Sequence, residues 1–384
     1  MRILIVNYEY PPLGGGGGVV TAWLAEELAK RHEVVVLTSR AFDLPKREVL
    51  DGVEILRSQT FCRRQMAVAN LPSLASFILS GRWKGRRLMQ SRRFDVINTH
   101  FALPTGPIGA AMARLYNTPN VLSVHGGDLY DPSKWTSPHR HRVLRNIVRR
   151  VAHAADSVVG QSRNTIENLL RFYDSALEPK LIPLGIPRPA KPIAGRAGLG
   201  LPGDSIVMIA VGRLVPRKGS DQLVRMVSLL RNPRLRLVLL GDGPEYAPLK
   251  RQAHELGVAN QVILPGFVTN QQKIDFLAAS DIYVSTSQHE GFGLVVLEAM
   301  AQGLPVVCYN HGGQTDFLKT GVSGAVVPLN DLDQFMRELN ELVINAEKRE
   351  MISQQNKVDV EHLFIENCAS RYEALFAELT GKAY

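Results

Sequence analysis

Glu290 and Glu298 are residues that could do chemistry, because seven residues separate them and a Gly-Phe-Gly turn lies between them. The run DIYVSTS at 281–287 predicts a strand, and the run LVVLEAMAQG after Gly293 predicts a helix that ends at Gly303. Glu290 is therefore expected at the carboxyl edge of a strand, where an open α/β sheet binds ligands, and Glu298 within the helix. The helix start would direct free backbone N–H groups at a phosphate. A capping glutamate followed by an ordinary exposed helix glutamate is the alternative interpretation.

A basic loop with the sequence GRLVPRKG, at 212–219, also follows a predicted strand. Arg213 offers a planar guanidinium that can bind phosphate through two hydrogen bonds, and Lys218 offers a compact charge. Together these side chains could neutralise a nucleoside diphosphate without a metal ion. Arg217 is interpreted as facing solvent, and a basic surface turn is the alternative interpretation of the whole loop.

A run of glycines, PPLGGGGG at 11–18, lies between the first predicted strand and a helix predicted to begin at Val20. Glycines let the backbone approach a phosphate closely and leave a helix start open to an anion, so Gly16 and Gly17 are candidate ligand contacts. A dinucleotide-binding Rossmann motif would need an acidic residue at the end of the second strand, but Thr-Ser-Arg occupies 38–40. A flexible turn remains the alternative.

Four further segments lie at strand ends or helix starts. The segment SVHGGD at 123–128 would present His125 and an open backbone to a ligand, although a lone histidine is more often structural. The segments GDGP at 241–244 and LPGFV at 264–268 are, by themselves, only turns. The single Asp-x-Asp sequence, at 331–333, is expected to cap a helix, and the sequence predicts no metal site.

These segments together resemble the retaining glycosyltransferases of family 4, which adopt the GT-B fold. The E-x7-E spacing and the GRL...KG pattern are its most specific parts, and PP..GG and His-Gly-x-Asp segments are similar to family motifs. The resemblance implies that Arg213 and Lys218 bind the diphosphate of a nucleoside-diphosphate sugar. It also implies that Glu298 holds the donor ribose and Glu290 the sugar hydroxyls.

The resemblance extends to the remaining site residues and to the mechanism. It implies His125, Glu290, Arg213 and Lys218 as catalytic residues, and Gly16, Gly17, Arg213, Lys218, Val268, Phe292, Gly293, Leu294 and Glu298 as donor-binding residues. Family members are understood to retain the anomeric configuration by same-face attack, with the leaving phosphate as base. A metal-independent transfer with no cofactor beyond the sugar nucleotide is therefore expected.

Three other enzyme classes could use parts of this pattern. A glycoside hydrolase needs two carboxylates roughly 5–9.5 Å apart across one bond, whereas eight positions of helix would separate the Cα atoms of Glu290 and Glu298 by about 12 Å. A non-hydrolysing sugar-nucleotide epimerase shares the fold and would keep the diphosphate clamp, so it is the alternative function. A nicotinamide dehydrogenase is disfavoured by the missing acidic residue on the second strand.

The elements that must position these residues alternate strand and helix over the whole chain, which predicts parallel sheets. The expected fold class is α/β GT-B, with two Rossmann-like doubly wound domains facing each other across a cleft. An acceptor-side domain is expected at 1–186, a linker at 187–203 and a nucleotide-sugar-binding domain at 204–359. A C-terminal helix at 360–384 is expected to pack back on the first domain, by resemblance to the family.

The charge distribution bears on partners. Net charge is +9, and the stretch from 61 to 93 has no acidic residue but interleaves basic and apolar side chains. Such a stretch suits an anionic membrane surface or a phosphate-bearing acceptor, although a solvated helix over ordinary core is the alternative. The expected acceptor is a glycan or a lipid-linked molecule. Nucleic-acid binding is not expected, because no recognition module is present.

Location follows from the same sequence features. No run of 18 apolar residues predicts a membrane span. The three cysteines have no paired spacing, so a cytoplasmic protein is expected. Attachment to the inner face of the cell membrane is a further expectation, from the basic and apolar stretch.

Overall fold

A computed structural model of the chain describes residues 1–66 and 68–382. Ala67, inside the basic and apolar stretch, and Ala383 and Tyr384, at the end of the expected C-terminal helix, lie outside the described residues. The chain forms two compact units. The first consists of Met1–Pro187 with the residues from Leu363 onward, and the second of Arg188–His362.

The first unit is built on an eight-stranded sheet in the order β3-β4-β2-β1-β5-β6-β7-β8. Its strands are β1 Arg2–Val6, β2 Glu33–Arg40, β3 Arg47–Leu50, β4 Val53–Gln59, β5 Val96–His100, β6 Asn120–Val124, β7 Ser157–Gly160 and β8 Lys180–Leu181. Its helices before the second unit are α1 Gly16–Ala29, α2 Leu71–Ser91, α3 Gly106–Tyr116, α4 Arg142–His153 and α5 Arg163–Phe172. The pairings are parallel except that of β3 with β4. The central strands are buried on both faces, as parallel strands covered by helices must be.

The second unit is a six-stranded, wholly parallel sheet in the order β11-β10-β9-β12-β13-β14. Its strands are β9 Ile206–Val211, β10 Leu235–Leu240, β11 Val262–Gly266, β12 Ile282–Ser285, β13 Val306–Tyr309 and β14 Gly324–Val327. Its helices are α6 Ser220–Leu230, α7 Tyr246–Glu255, α8 Asn270–Ala278, α9 Leu294–Ala301, α10 Leu332–Ile344 and α11 Ala346–Asp359. Because the strands are parallel, their carboxyl ends share one edge, and the loops that carry the candidate residues begin there.

The last helix, α12 Ile365–Thr380, belongs to the core of the first unit. Tyr372 and Phe376 are almost fully buried in the cluster that contains Ile3 and Val34 of the central strands. The Tyr372 hydroxyl also lies 2.8 Å from the Ser123 hydroxyl at the end of β6. Burial of such side chains contributes roughly 1.5–3 kcal/mol each, which ties the end of the chain to its beginning.

Residues 188–203, where the sequence predicts an interdomain linker, are part of the second unit. The Arg196 guanidinium pairs with Asp281 at 2.6 Å and donates to the Ser205 carbonyl at 2.8 Å. The backbone N–H of Ile193 donates to Asp275 at 2.7 Å. The Pro- and Gly-rich composition therefore describes a segment without regular strands that is hydrogen-bonded to the unit it precedes.

Two local expectations differ from the structure. Helix α1 begins at Gly16 and not at Val20, so Gly16 and Gly17 lie in its first turn, where low helix propensity costs little. Strand β3 was not predicted, because the edge segment REVL alternates weakly and is largely exposed. It pairs only with β4, in antiparallel register.

Candidate active site

The GRL segment that follows β9 is packed against the GDGP turn that follows β10. A Cβ atom on Gly241 would lie 1.9 Å from the carbonyl oxygen of Gly212, and one on Gly243 would lie 2.3 Å from that of Leu214. Both glycines have positive φ angles, of 142° and 154°. The GDGP turn, which looked unremarkable in the sequence, therefore sets the path of the loop that carries Arg213.

The second half of this loop is fixed to the end of strand β12. The Thr286 hydroxyl donates to the Gly219 carbonyl at 2.8 Å, and a Cβ atom on Gly219 would lie 2.6 Å from the Thr286 carbonyl oxygen. This close approach places Lys218 beside Glu290, and the ammonium Nζ forms an ion pair with Glu290 Oε1. Both side chains are mostly buried, with 18% and 13% of their surfaces exposed.

The carboxylate of Glu290 is kept ionised by its neighbours. Burial would raise its pKa, but the charges of Lys218 and Arg217 and hydrogen bonds from Lys218 and Ser287 outweigh burial, so the pKa lies below its ordinary value. Glu290 is thus a hydrogen-bond acceptor with a partner charge on one oxygen. It is poorly suited to donating a proton.

Arg217 does not simply face solvent, as the sequence suggested. Its guanidinium donates to the carbonyl oxygen of His289, and its own carbonyl accepts from the Gln288 backbone N–H at 2.8 Å. These contacts join the basic loop to the residues immediately before Glu290. The sequence missed this positioning role because the two segments are 72 residues apart.

The backbone of Glu290 is held from the other side by the loop after β13. Its N–H donates to the His311 carbonyl at 3.2 Å, and its carbonyl accepts from the Gly313 N–H at 3.0 Å. A Cβ atom on Gly312 would lie 2.1 Å from the Glu290 carbonyl oxygen. Glu290 is therefore positioned by both neighbouring strand-end loops, and Gly312 is a positioning residue that was not identified from sequence.

Gly293, with a φ angle of 94°, is the N-cap of helix α9, as the sequence predicts. Its carbonyl accepts from the N–H groups of Val296 and Leu297. Within the described part of the chain, no group accepts a hydrogen bond from the N–H of Leu294 or Val295. The first turn contains no acidic residue, so this helix start can receive an anion.

The side chain of Phe292 is buried against another aromatic ring, so it is not open to a ligand. It is only 5% exposed, and its ring centroid lies 5.4 Å from that of Phe317. Any contact between Phe292 and a ligand would therefore use its backbone. Val268 follows the edge strand β11 and is half-buried, next to Phe267, whose side chain is 87% exposed.

Glu298 is paired with a lysine that sequence reasoning missed. Its Oε1 lies 2.5 Å from Lys273 Nζ on helix α8, and both side chains are mostly buried. Its other oxygen, Oε2, is buried and accepts no hydrogen bond from the residues that the structure describes. An acceptor atom of this kind requires a donor, which a sugar hydroxyl would supply.

Arg213 is exposed at the carboxyl edge of the second sheet. Among the described residues, none forms a hydrogen bond or ion pair with its guanidinium. Asp331, in the Asp-x-Asp sequence, caps helix α10 by accepting from the Gln334 N–H at 2.9 Å, as predicted. Over residues 1–66 and 68–382, no group of three His, Cys, Asp or Glu side chains is placed to hold a metal ion.

In the first unit, the glycine run packs against an aromatic ring next to His125. A Cβ atom on Gly17 would lie 2.4 Å from Phe101 Cζ, whereas one on Gly15 would meet nothing within 4 Å. The Phe101 ring in turn stacks on the His125 imidazole, with the centroids 4.3 Å apart. Gly17 therefore makes room for the ring that covers His125.

His125 belongs to a polar network whose other members were not identified from sequence. Gln161 Nε2 lies 2.8 Å from its Nδ1, and His100 Nδ1 lies 2.9 Å from its Nε2. Burial and the neighbouring His100 hold the pKa of His125 well below its ordinary value, and burial lowers that of His100 to about 3. Both rings are neutral at physiological pH.

Asp128 holds the loop that presents His125. Its carboxylate accepts from the backbone N–H groups of Ala102, at 2.6 Å, and His125, at 2.9 Å. Burial raises the pKa of Asp128 to about 6 in spite of these hydrogen bonds. The aspartate of the His-Gly-x-Asp segment therefore joins the loops after β5 and β6.

The two halves of the chain match two family profiles. The family described as "Glycosyltransferase Family 4" matches residues 14–188, and that described as "Glycosyl transferases group 1" matches residues 194–359. The chain is 30% identical over 374 residues to an uncharacterized glycosyltransferase of Methanocaldococcus jannaschii, which covers 94% of this chain and 93% of that protein. It is 30% identical over 389 residues to a D-inositol 3-phosphate glycosyltransferase of Thermobispora bispora, which covers 92% and 89%.

Solved structures show the same fold at lower identity. The sucrose-phosphate synthase of Thermosynechococcus elongatus superposes with a TM-score of 0.85 at 22% identity, over the whole of both chains. An Anabaena protein crystallised with UDP and glucose superposes with a TM-score of 0.78 at 20% identity, over 98% of this chain and all of the other. None of the helices in the described part of the chain is long and apolar enough to cross a membrane.

Proposed function

We infer the reaction from the premise that this chain belongs to the glycosyltransferases of group 1 and family 4, with the α/β GT-B fold that its sequence predicts. We propose that it transfers a sugar, with retention of configuration and without a metal ion, from a nucleoside-diphosphate sugar to a glycan or lipid-linked acceptor. The epimerase alternative is not favoured, since the named relatives are glycosyltransferases. The observation that carries the proposal is the convergence of Arg213, the Lys218–Glu290 pair and the Gly293 helix start at one sheet edge.

In the proposed reaction, the leaving phosphate is the group that most needs stabilisation. The bond from the anomeric carbon to the β-phosphate oxygen breaks, and the electron pair remains on that oxygen. Arg213 and Lys218 supply positive charge there, and the N–H groups of Leu294 and Val295 supply hydrogen bonds. Lys218 has three N–H donors, so its pair with Glu290 leaves two for phosphate oxygens.

The two glutamates have separate proposed roles on one donor. The Oε2 atom of Glu298, buried and without a partner among the described residues, suits a ribose hydroxyl, while Lys273 holds the other oxygen. Glu290, ionised and fixed by its backbone, suits the hydroxyls of the transferred sugar. Gly293, Leu294 and the backbone of Phe292 would line the diphosphate, and Val268 the nucleobase.

Retention is proposed through same-face attack by the acceptor hydroxyl. A new bond forms from the acceptor oxygen to the anomeric carbon, and the hydroxyl proton passes to the departing phosphate oxygen. Glu290 is ionised and paired with Lys218, so it is not proposed to donate a proton in this step. His125, neutral and oriented by Gln161 and His100, is proposed as a catalytic residue of the first unit, with Gly16 and Gly17 as donor contacts.

An anionic membrane surface is the proposed location of the acceptor, with a cytoplasmic protein attached to the inner face. Six large apolar side chains between 61 and 83 are exposed, namely Phe61, Met66, Val68, Leu71, Leu79 and Trp83. Arginines and no acids lie among them, so the surface suits insertion between anionic headgroups. Liposome co-sedimentation tests this location, and equal recovery with neutral and anionic vesicles would count against it.

A thermal-shift screen of sugar nucleotides and nucleoside diphosphates tests the proposed function. One nucleotide class should raise the melting temperature, because binding to the folded state stabilises it by mass action. The stabilising donor is then incubated with the protein alone. Conversion of the donor to an epimeric sugar nucleotide, followed by NMR, would support the alternative instead.

A further inference from the structure

A cavity of about 520 Å³ in the first unit lies between helix α2 and the ends of strands β2 and β4. Basic residues from four segments line it, namely Arg40, Lys46, Arg57, Lys84 and Arg87. Leu56, Trp83 and Leu88 give it an apolar part, and no aspartate or glutamate is among the described residues that line it. The cavity therefore combines concentrated positive charge with an aromatic wall.

One buried polar atom on the cavity lining, the hydroxyl of Ser80, has no hydrogen-bond partner among the described residues. The side chain of Arg57 faces the other side of the sheet, where it pairs with Glu48 and donates to the Pro11 carbonyl at 3.0 Å. Arg57 therefore meets the cavity through its backbone, whose carbonyl accepts from Lys84 Nζ. Buried hydroxyls are rarely left unpaired in folded proteins, so a ligand group is expected to bond to Ser80.

Lys84 and Arg87 lack carboxylate partners within the described residues. Lys84 Nζ donates to the backbone carbonyls of Arg57 and, at 3.3 Å, Lys46. Burial, with the charges of Arg40 and Lys46, lowers the pKa of Lys84. Arg87 lies over the Trp83 ring, with its guanidinium carbon 3.8 Å from the ring centroid. An anion in the cavity would offset the repulsion among these cations.

We propose that this cavity binds a phosphate group carried on a molecule with an apolar or aromatic part. The phosphate oxygens would accept from Lys84 and Ser80, Arg40 would add positive charge, and the apolar part would lie against Trp83. None of the residues proposed to bind the sugar nucleotide lines this cavity, and Arg213, Lys218 and Glu298 belong to the second unit. The cavity proposal therefore stands or falls independently of the proposed donor chemistry.

Titration with phenyl phosphate, followed by tryptophan fluorescence, tests the site, with phenol as the uncharged control. Saturable binding of phenyl phosphate and not of phenol is expected, and the signal should be lost in Trp83→Phe. Lys84→Gln and Arg40→Gln should each weaken binding roughly tenfold, as the loss of a charge-assisted contact does. Ser80→Ala should weaken it with an unchanged melting temperature, because the hydroxyl bonds to no described residue.

Arg82→Gln on the same helix is the matched control, since Arg82 is exposed and outside the cavity. Co-sedimentation with phosphatidylglycerol and phosphatidylcholine vesicles then identifies the source of the phosphate. Loss of vesicle recovery in Lys84→Gln but not in Arg82→Gln indicates an anionic lipid headgroup. Phenyl phosphate binding with equal vesicle recovery in both variants indicates a soluble phosphate ester. Equal effects of the two substitutions on both probes, or no binding of either probe, would overturn the proposal.

Discussion

Lys218 and Glu290 lie 72 residues apart in the sequence and form a mostly buried ion pair at the carboxyl edge of the second sheet. The pair links the basic loop after β9 with the segment before helix α9. It brings a residue proposed to bind the donor phosphate into contact with a residue proposed to bind the donor sugar. Its formation depends on Thr286, Gly219 and Gly312, which hold the two backbones in place.

Substitution of Lys218 should mainly affect donor binding, whereas substitution of Glu290 should mainly affect turnover. Lys218→Met should abolish detectable donor binding and lower stability by up to about 3 kcal/mol, because it leaves the Glu290 carboxylate buried without its partner. Glu290→Gln keeps the shape and should reduce turnover by a larger factor than it reduces donor affinity. Calorimetric titration with the donor and a transfer assay measure the two effects. Loss of donor binding in Glu290→Gln together with normal binding in Lys218→Met would reverse the assigned roles.

Glu298→Gln tests the proposed ribose contact. The substitution weakens the pairing with Lys273 and removes a charged acceptor, which contributes about 1.5–3 kcal/mol to a hydrogen bond. Affinity for the nucleoside diphosphate should fall roughly tenfold or more, whereas affinity for inorganic pyrophosphate, which has no ribose, should not change. Equal losses for the two ligands would show that Glu298 supports the site only structurally.

Gly17→Ala tests whether the glycine run positions the ring over His125. The added Cβ would lie 2.4 Å from Phe101 Cζ, so Phe101 or the start of α1 must shift, at a cost of about 1–3 kcal/mol. Gly15→Ala is the matched control, because its Cβ would meet nothing within 4 Å. Thermal denaturation of both variants measures the difference. Equal melting temperatures would mean that the contact with Phe101 is unimportant.

Acid should destabilise the protein through the histidine network. The pKa of His100 is about 3 in the folded state and that of His125 is also lowered, against an ordinary 6.5. Below pH 6.5 these histidines are therefore protonated in the unfolded chain but not in the folded chain. The free energy of unfolding consequently decreases as pH falls toward 3. Asp128 acts oppositely: its pKa is raised from 3.8 to about 6, so its contribution is lost as pH rises through that interval.

Melting temperatures between pH 7.5 and 5 measure this dependence. In His100→Asn the melting temperature should fall less on acidification, because one histidine with a lowered pKa has been removed. In Asp128→Asn the melting temperature should fall more steeply, because the carboxyl group whose raised pKa counteracts the histidines has been removed. An unchanged pH profile in His100→Asn would mean that the network does not control acid stability.

The fold was largely predictable because its central strands are buried on both faces. Runs such as ILIV in β1 and VVVL in β2 are continuous apolar segments of the kind that a parallel sheet buries. The short edge strand β3 escaped prediction because exposure removes the hydrophobic pattern. The start of α1 was misplaced because glycines disfavour helix, yet the first turn tolerates them.

Candidate site residues were predictable only where their own local sequence indicates a functional position. Arg213 and Lys218 follow a strand, Gly293 caps a helix and Glu298 lies within that helix, so the local sequence points to all four. Lys273 and Gly312 in the second unit, and His100 in the first, each contact a candidate residue of their own unit, and their sequences contain no local sign of the contact. The position of Arg217 against the His289 carbonyl likewise depends on tertiary packing.

The central claim, that the second unit binds the diphosphate of a sugar donor through its basic loop, is tested most directly by calorimetric titration of Arg213→Ala. The control is Arg225→Ala, an equal loss of charge at an exposed position on helix α6. The account predicts that the donor found in the thermal-shift screen binds the unmodified protein and Arg225→Ala alike, and binds Arg213→Ala at least tenfold more weakly. Equal affinity for all three proteins would contradict it.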